Sequence, residues 1–364
     1  MTALLEVDNL VRHFVAERSI LGMPKVVVRA VDGVSFKVEA GKTLALVGES
    51  GCGKSTVGRL VLRLIEAQSG HVLFEGRDIA QYSAEELRAY RRKAQIIFQD
   101  PYASLNPRMT IAQALSEPLA LHGLAEPGQR RQRVDEILRL VGLEPRFAQR
   151  YPHEFSGGQR QRIAIARAIA VEPKLIVCDE PVSALDVSIR SQILNLLRDL
   201  QRELGLAYIF ISHDLAVVKH VADEVAVMNL GQIVEIGPAA ALFEQPRHPY
   251  SRALLSAIPI PSPSRERSRV LLSGELPSAI NPPAGCRFHT RCPYVIDRCR
   301  TERPALVADG GGHAAACHRV GELPAFAVAA RDGTRSASLD RLTAAFTARS
   351  FSNQAGSSTP PRCS

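Results

Sequence analysis

The sequence predicts an α/β fold. Its core is a mixed, largely parallel sheet with packed helices, an antiparallel β part at the N-terminus and a helical insertion, and a small C-terminal domain carries cysteines. Three observations carry this. A short apolar strand, "TLALV", runs straight into the glycine-rich loop "GESGCGKST" and then into the helical "STVGRLVLRLI". Two further apolar strands, "KLIVCDEP" and "AYIFISHD", flank the helix "SIRSQILNLLRDLQREL". That strand–helix–strand alternation favours parallel pairing with helices on the sheet. Four of the seven cysteines fall between Cys286 and Cys317, beyond a stretch rich in proline, serine and arginine.

Taken in chain order, residues 1–47 alternate as strands in "LLEVDNLVRHF" and "VVVRAVDGVSFKV". "TLALV" is nearly all apolar, the composition of a strand buried on both faces. "HVLFEG" reads as an edge strand. Residues 83–96 read as a helix ending in "QIIFQD". From about 100 to 170 strand signal is weak. "PYASLNPRMT" reads as a turn-rich loop and "RRQRVDEILRLVGL" as a helix closed at Gly142, so this part is the helical insertion. "EVAVMNLGQIVEIG" predicts a hairpin around Leu230-Gly231, followed by helices in "AAALFEQ" and "PRHPYSRALLSAIP". A domain boundary is expected near residue 259. The domains are therefore 1–258, 259–325 with the cysteines, and a tail over 326–364 whose Ala, Ser, Thr and Arg composition predicts disorder.

Composition narrows the function classes. The chain has 364 residues, 46% hydrophobic, enough for a large core. Net charge is +8, but arginine and glutamate interleave, as in "AEELRAYRRKAQ", which describes a solvated surface. No lysine-rich block or aromatic array points to nucleic acid. No segment approaches the roughly 20 apolar residues of a transmembrane helix, and the N-terminus lacks a signal-peptide pattern. The expectation is a cytosolic protein whose membrane role, if any, runs through a partner.

The loop Gly48, Glu49, Ser50, Gly51, Cys52, Gly53, Lys54, Ser55, Thr56 fits G-x-x-x-x-G-K-[ST]. Its glycines let backbone N–H groups wrap phosphate oxygens, and the helix from Lys54 adds its dipole. Lys54 is expected on the β- and γ-phosphates, and the Ser55 hydroxyl on Mg²⁺. "LIVCDE" sets Asp179 to hold the Mg²⁺ shell and Glu180, one residue on, to polarise the attacking water. His213, ending "IFISHD", is placed to touch the γ-phosphate. Gln99, in "IIFQD", is placed to meet Mg²⁺ or water; the alternative is an ordinary loop amide. Phe14 is a candidate to stack on adenine, or else a core aromatic of an N-terminal strand.

A second anion-binding helix start appears a hundred residues later, at "EFSGGQRQRIAIARAI". At this point "GESGCGKST", Gln99, "FSGGQ", "LIVCDEP", "SALD" and "SHD" together resemble the ABC-type ATPases, in order and spacing, over roughly residues 1–255. "FSGGQ" departs from the commoner form by phenylalanine in place of leucine. The resemblance implies a P-loop ABC ATPase core that hydrolyses ATP with Mg²⁺. It also implies head-to-tail pairing with a second ATPase subunit, so that Ser156, Gly157, Gly158 and Gln159 of one chain cap the γ-phosphate held by the other. Asp186, in "SALD", is implied at that interface; the alternative is a helix start capped by Ser183.

"FQDPYASLNPRMT", "CDEPVSALDVSIRSQILNLL" and "RHPYSRALLSAIP" look like the ATPase subunits of oligopeptide and dipeptide importers. Relatives handling nickel or glutathione share much of this wording. The implied partners are a sister or identical ATPase, two integral membrane permease subunits that dock at the Gln99–Pro107 loop and the helical insertion, and indirectly a peptide-binding protein. The implied location is the cytoplasmic face of the membrane, bound peripherally. Rival readings are a soluble ABC-type ATPase acting on nucleic acid or ribosomes, and a redox regulator built on the cysteines.

Cys286, Cys292, Cys299 and Cys317 are separated by five, six and seventeen residues. Structural zinc sites pair cysteines more tightly, while an all-thiolate set suits an iron–sulfur cluster. The importer resemblance implies a [4Fe–4S] cluster; zinc and no metal stay open. His289, His313 and His318 are nearby alternatives.

Overall fold

The computed structural model describes residues 3–18, 24–258 and 278–326. The predicted tail from 327 onward and the expected boundary near 259 lie outside the described residues. The chain opens with two long antiparallel strands, β1 (Leu5–Arg18) and β2 (Pro24–Val38). β3 (Thr43–Val47) follows, buried at every residue, then the glycine loop and α1 (Lys54–Val61). β4 (Ser69–Phe74) and the two-residue β5 (Arg77–Asp78) return to the first sheet, whose order is β2-β1-β4-β5. β4, expected at an edge, is therefore an interior strand between β1 and β5. Its alternating apolar residues Val72 and Phe74 point into the core, and that pattern says nothing about which strands lie beside it.

α2 (Ala84–Lys93) starts with a reciprocal cap between Ser83 and Glu86 and leads directly into β6 (Ala94–Ile97). The predicted turn-rich loop contains one short helix, α3 (Pro101–Ser104). Asp100 accepts the Tyr102 N–H there, and Pro101 takes the first position, where its missing N–H costs nothing. The rest of the insertion is helical as expected: α4 (Ile111–Leu121), α5 (Arg130–Leu140) and α6 (Gly157–Ile169). β7 (Leu175–Asp179), α7 (Val187–Leu204) and β8 (Ala207–Ser212) complete the alternation, and both strands are buried throughout. α8 (Leu215–Val221) leads to the hairpin β9 (Glu224–Asn229) and β10 (Gln232–Pro238). Leu230 and Gly231 both take positive φ, 45° and 81°, the geometry of the two-residue turn that matches strand twist.

α9 (Ala239–Glu244) and α10 (Pro249–Ser256) close the core. α11 (Asp297–Thr301) and the short strands β11 (Val307–Ala308) and β12 (Ala314–Ala315) belong to the cysteine-bearing segment. The second sheet runs β11-β12-β10-β9-β3-β8-β7-β6. Its β9-β3-β8-β7-β6 portion is parallel. The segment thus extends the core sheet through β12 on β10, within one compact unit, Met1–Pro324.

That junction is built on a buried carboxylate. Glu235 on β10 accepts from His313 Nε2 at 2.7 Å and from the N–H groups of Arg247 and His248 at 2.7 and 2.8 Å. Burial alone pushes its pKa up, but these bonds win and hold it below the ordinary value. Beside it, burial drives fully enclosed His248 down to about 4. Its Nδ1 accepts the Tyr250 N–H, so the ring sits neutral.

Unfolded, His248 protonates near its ordinary 6.5; folded, it resists to about 4. Acid therefore favours the unfolded chain, and stability falls between these values by about 3 kcal/mol from this group. Glu235 adds a loss at lower pH, as it is forced to protonate. A thermal melt at pH 5 is expected several degrees below that at pH 7, and His248→Asn, which keeps an acceptor for Tyr250, flattens the difference. An unchanged slope in that variant removes His248 as its cause.

Candidate functional site

The phosphate loop is wedged against the core. A side-chain carbon at Gly48 would stand 2.2 Å from the Met228 carbonyl oxygen, and one at Gly53 2.0 Å from that of Ala30. Both glycines take positive φ, 151° and 109°. No other residue fits either place. Lys54 Nζ donates to the carbonyls of Gly48 and Glu49 at 2.9 and 3.0 Å, and lies 3.8 Å from Cys52 Sγ. Burial pushes the Cys52 thiol up, so it stays a neutral packing group. Ser55 Oγ donates to Asp179 Oδ1 at 2.7 Å, joining the start of α1 to the end of β7. Burial holds the Asp179 carboxyl above its usual value despite that bond; a divalent cation bound here would reverse this balance. Ser50, Gly51 and Thr56 complete the loop and the first turn of α1.

Two of the predicted residues converge on the carboxylate of a third. Glu180 Oε2 accepts from Gln99 Nε2 at 3.0 Å, and Oε1 accepts from His213 Nδ1 at 3.0 Å. Glu180 sits in the left-handed region at φ 49°, a strained setting for a side-chain-bearing residue, pinned by its N–H to the Ile211 carbonyl at 3.0 Å. Its side chain is 16% exposed while that of His213 is 56% exposed, so the pair lies at the rim of a pocket rather than in the core. Glu180, Ser183, Arg190, His213 and Asp214, with Val182 and Val217, border a cavity of mixed polar and apolar lining of about 30 Å³, roomy enough for a water molecule.

Other predicted residues stand apart from this cluster. Ser156 caps α6: its Oγ accepts the Gln159 N–H at 3.3 Å, and Gln159 Oε1 accepts the Ser156 N–H at 3.1 Å. Among the described residues no hydrogen bond joins this cap to the phosphate loop. Ser156 and Gly157 are exposed. Gly158 faces α7, where a side-chain carbon would meet Ile189 Cγ2 at 2.4 Å. Asp186, exposed, occupies the capping position of α7 with no side-chain bond. Ser183, the sequence-based candidate for that cap, instead donates to the Glu180 carbonyl at 3.1 Å, because α7 starts three residues later than such a cap requires. Phe14 is half-exposed on β1 opposite Val28, with the Arg12 guanidinium 5.0 Å from its ring. It is not among the core aromatics.

The four cysteines Cys286, Cys292, Cys299 and Cys317 line one cavity of about 10 Å³ with Phe288 and His289. Burial pushes Cys286 and Cys292 up to about 11, and Cys317 upward as well. Among the described residues no group of three or more His, Cys, Asp or Glu is arranged to hold a metal ion. His313 is committed to Glu235, and His318 to the Glu302 carbonyl at 3.0 Å.

Sequence reasoning missed three contributors. Arg190 on α7 clamps Asp214, next to His213, at 2.9 Å. The Tyr250 hydroxyl accepts the Glu49 N–H at 2.9 Å, and Arg291 grips the Glu49 carboxylate with both terminal nitrogens. The acid inside a phosphate loop was the signal for Arg291: a half-buried carboxylate there needs a cation.

A loop built for phosphates, an acid pair at the end of β7 and a distant exposed helix start define an ATPase cassette. The sequence matches the ABC transporter family over residues 31–183 and the family "Oligopeptide/dipeptide transporter, C-terminal region" over residues 234–299. A "Probable peptide ABC transporter ATP-binding protein" of Sinorhizobium fredii is 56% identical over 316 residues, covering 87% of this chain and 90% of that protein. A "Di/tripeptide transport ATP-binding protein" of Pseudomonas aeruginosa is 52% identical over 306 residues, covering 84% and 94%. Among solved structures, a cassette of an ABC transporter complex from Clostridium perfringens superposes with a TM-score of 0.57 at 30% identity, over 67% of this chain and 91% of that one. A dimeric ATP-binding cassette in a post-hydrolysis state with ADP and Pi gives 0.56 at 27% identity, over 65% and 98%. The chain belongs to the ABC transporter ATPases. Within them it belongs to the group with the oligopeptide/dipeptide C-terminal region. Among the described residues no helix is long and apolar enough to cross a membrane.

Proposed function

We propose that this chain is the ATP-hydrolysing subunit that powers peptide import through a membrane ABC transporter. The observation that carries the chemistry is the Glu180 carboxylate, held by Gln99 on one oxygen and His213 on the other, beside a cavity that admits a water. The cargo class rests on the C-terminal family match and on relatives named for peptide transport.

In this reading the loop N–H groups and Lys54 bind the triphosphate. Ser55 and Asp179, two hard oxygen donors already in contact, hold Mg²⁺ with help from Gln99. When bound there, the ion would supply charge neutralisation at the phosphates. Glu180 orients and deprotonates the attacking water, and His213 steadies Glu180 and meets the γ-phosphate. Phe14 stacks on adenine. Ser156, Gly157, Gly158 and Gln159 supply helix-terminus donors to the nucleotide held by the second cassette, and Asp186 lies along that contact. The dimeric neighbour supports such pairing. ATP then closes the pair and hydrolysis opens it. The partners are a sister or identical cassette and two permease subunits, with a peptide-binding protein upstream, so the chain works bound peripherally at the cytoplasmic face.

Detergent extraction and affinity capture of the full chain is expected to bring down two integral membrane proteins. RNA or DNA in that fraction with no membrane partner overturns the reading.

The four thiols line one cavity, and an all-thiolate donor set suits an iron–sulfur cluster. Cys286, Cys292, Cys299 and Cys317 are the residues to hold it, and it would cross-link this loop-rich segment. Anaerobically purified protein is expected to contain iron and sulfide and to absorb broadly in the blue; zinc alone, or neither, removes the cluster.

A further inference from the structure

An acid in a phosphate loop is a physical oddity. The Glu49 carboxylate stands beside the groups that bind a triphosphate, where a free negative charge repels the ligand. Here it is not free. Arg291 Nη1 donates to Oε2 at 2.7 Å and Nη2 to Oε1 at 2.9 Å, a two-pronged contact that fixes both position and charge. The arginine side chain is only 7% exposed, and its Nε has no hydrogen-bond partner, so the fork is turned wholly to Glu49.

Arg291 comes from the cysteine-bearing segment, one residue before Cys292. The same segment reaches the loop by two further routes. Phe288 packs on Tyr250 at 5.3 Å, and the Tyr250 hydroxyl takes the Glu49 N–H. Arg287 donates to the Leu230 carbonyl and pairs with Asp32. The adjacent Gly231 N–H donates to the Cys52 carbonyl at 2.8 Å, and its own carbonyl accepts the Asp32 N–H at 2.8 Å. Three strands of contact from residues 287–291 thus end on the two halves of one loop, at residues 49 and 52.

We propose that Arg291 is a positioning residue for the nucleotide site: from the four-cysteine segment it neutralises and pins Glu49, and so sets the affinity of the phosphate loop for nucleotide. This rests on the reading that the loop binds ATP. Arg291 touches no substrate in this scheme; it acts through Glu49. Without it, an unpaired carboxylate remains on the phosphate loop and the loop loses one of its three anchors.

Binding of Mg²⁺ and the non-hydrolysable analogue AMP-PNP to the full chain, measured by titration calorimetry, tests this. Arg291→Gln is expected to weaken binding about tenfold, within the usual range for coupled sites. Adding Glu49→Gln to that variant removes the unpaired charge and is expected to restore affinity to within about threefold of wild type. A general folding defect is not repaired by a second mutation in the loop, so this suppression separates positioning from mere stability. Arg291→Lys keeps the charge without the fork and is expected to fall between wild type and Arg291→Gln. It also serves where Arg291→Gln fails to fold. Wild-type affinity in either single variant overturns the proposal, as does a double variant no better than Arg291→Gln. Failure of the wild type itself to bind, or full binding by Lys54→Ala, refutes the assignment of the loop instead.

Discussion

Glu180→Gln is expected to keep nucleotide binding and abolish turnover, with hydrolysis down by about 10²–10⁴-fold, the range for losing a general base. Shape predicts the first half. Glutamine is the isostere of glutamate, and the two neighbours adapt. The Gln99 amide can turn its oxygen to the new NH₂ group, while the remaining carbonyl still accepts from His213 Nδ1. The left-handed backbone at residue 180 is held by its N–H bond to Ile211, which the change does not touch. The fold and the Ser55–Asp179 pair therefore survive. Charge predicts the second half: a neutral amide cannot take a proton from water. Phosphate release under single-turnover conditions, alongside AMP-PNP affinity, reads both. Hydrolysis within tenfold of wild type removes Glu180 from the chemistry. Lost binding with lost turnover would make the carboxylate a structural group.

The residues of this clamp were legible in the sequence because each ends a strand that the sequence also announces. Gln99, Asp179, Glu180 and His213 all follow apolar runs, and the parallel order β8-β7-β6 brings the ends of those runs to one edge. What stayed hidden depends on neighbours, which a period-two pattern does not encode. β4 has the same alternation whether it lies at an edge or inside a sheet. The short helix α3 hides in a string of turn residues, since Asp-Pro opens a turn and a helix alike. Cysteine spacing identifies a cluster but not what it packs against. Nothing in "GCRFHTRCPY" announces that two of its arginines reach the β9–β10 turn and the phosphate loop, with partners more than fifty and two hundred residues away in sequence. Ionic contacts between distant segments leave only a weak trace, an acid or base where the local chemistry disfavours it. Glu49 is such a trace.

The two glycines at the start of α6 separate what this chain needs for itself from what it offers a partner. A methyl group at Gly158 would collide with Ile189 at 2.4 Å, so that glycine is required by the packing of α6 on α7. At Gly157 the nearest atom, Leu185 Cδ2, is 3.7 Å away, an ordinary contact, and the residue is exposed. Gly157→Ala therefore fits within the chain, and alanine favours a helix over glycine. Its melting temperature is expected to stay at or slightly above wild type. Yet if a triphosphate held by a second cassette docks against this helix start, the added methyl stands between donor and anion. Hydrolysis by the assembled pair should then fall about 10²-fold, as when a preorganised donor to a reacting anion is lost. Mixing makes the argument strict for pairs of identical chains. Lys54→Ala disables the phosphate loop of its own chain, while Gly157→Ala disables the cap it lends. Each is inactive alone, but in a mixed pair one of the two composite sites inherits neither defect. With half the pairs mixed, about a quarter of the wild-type rate should return, a consequence of two-fold pairing. No recovery in a mixture shown by mass to contain mixed pairs means that each chain builds its site alone.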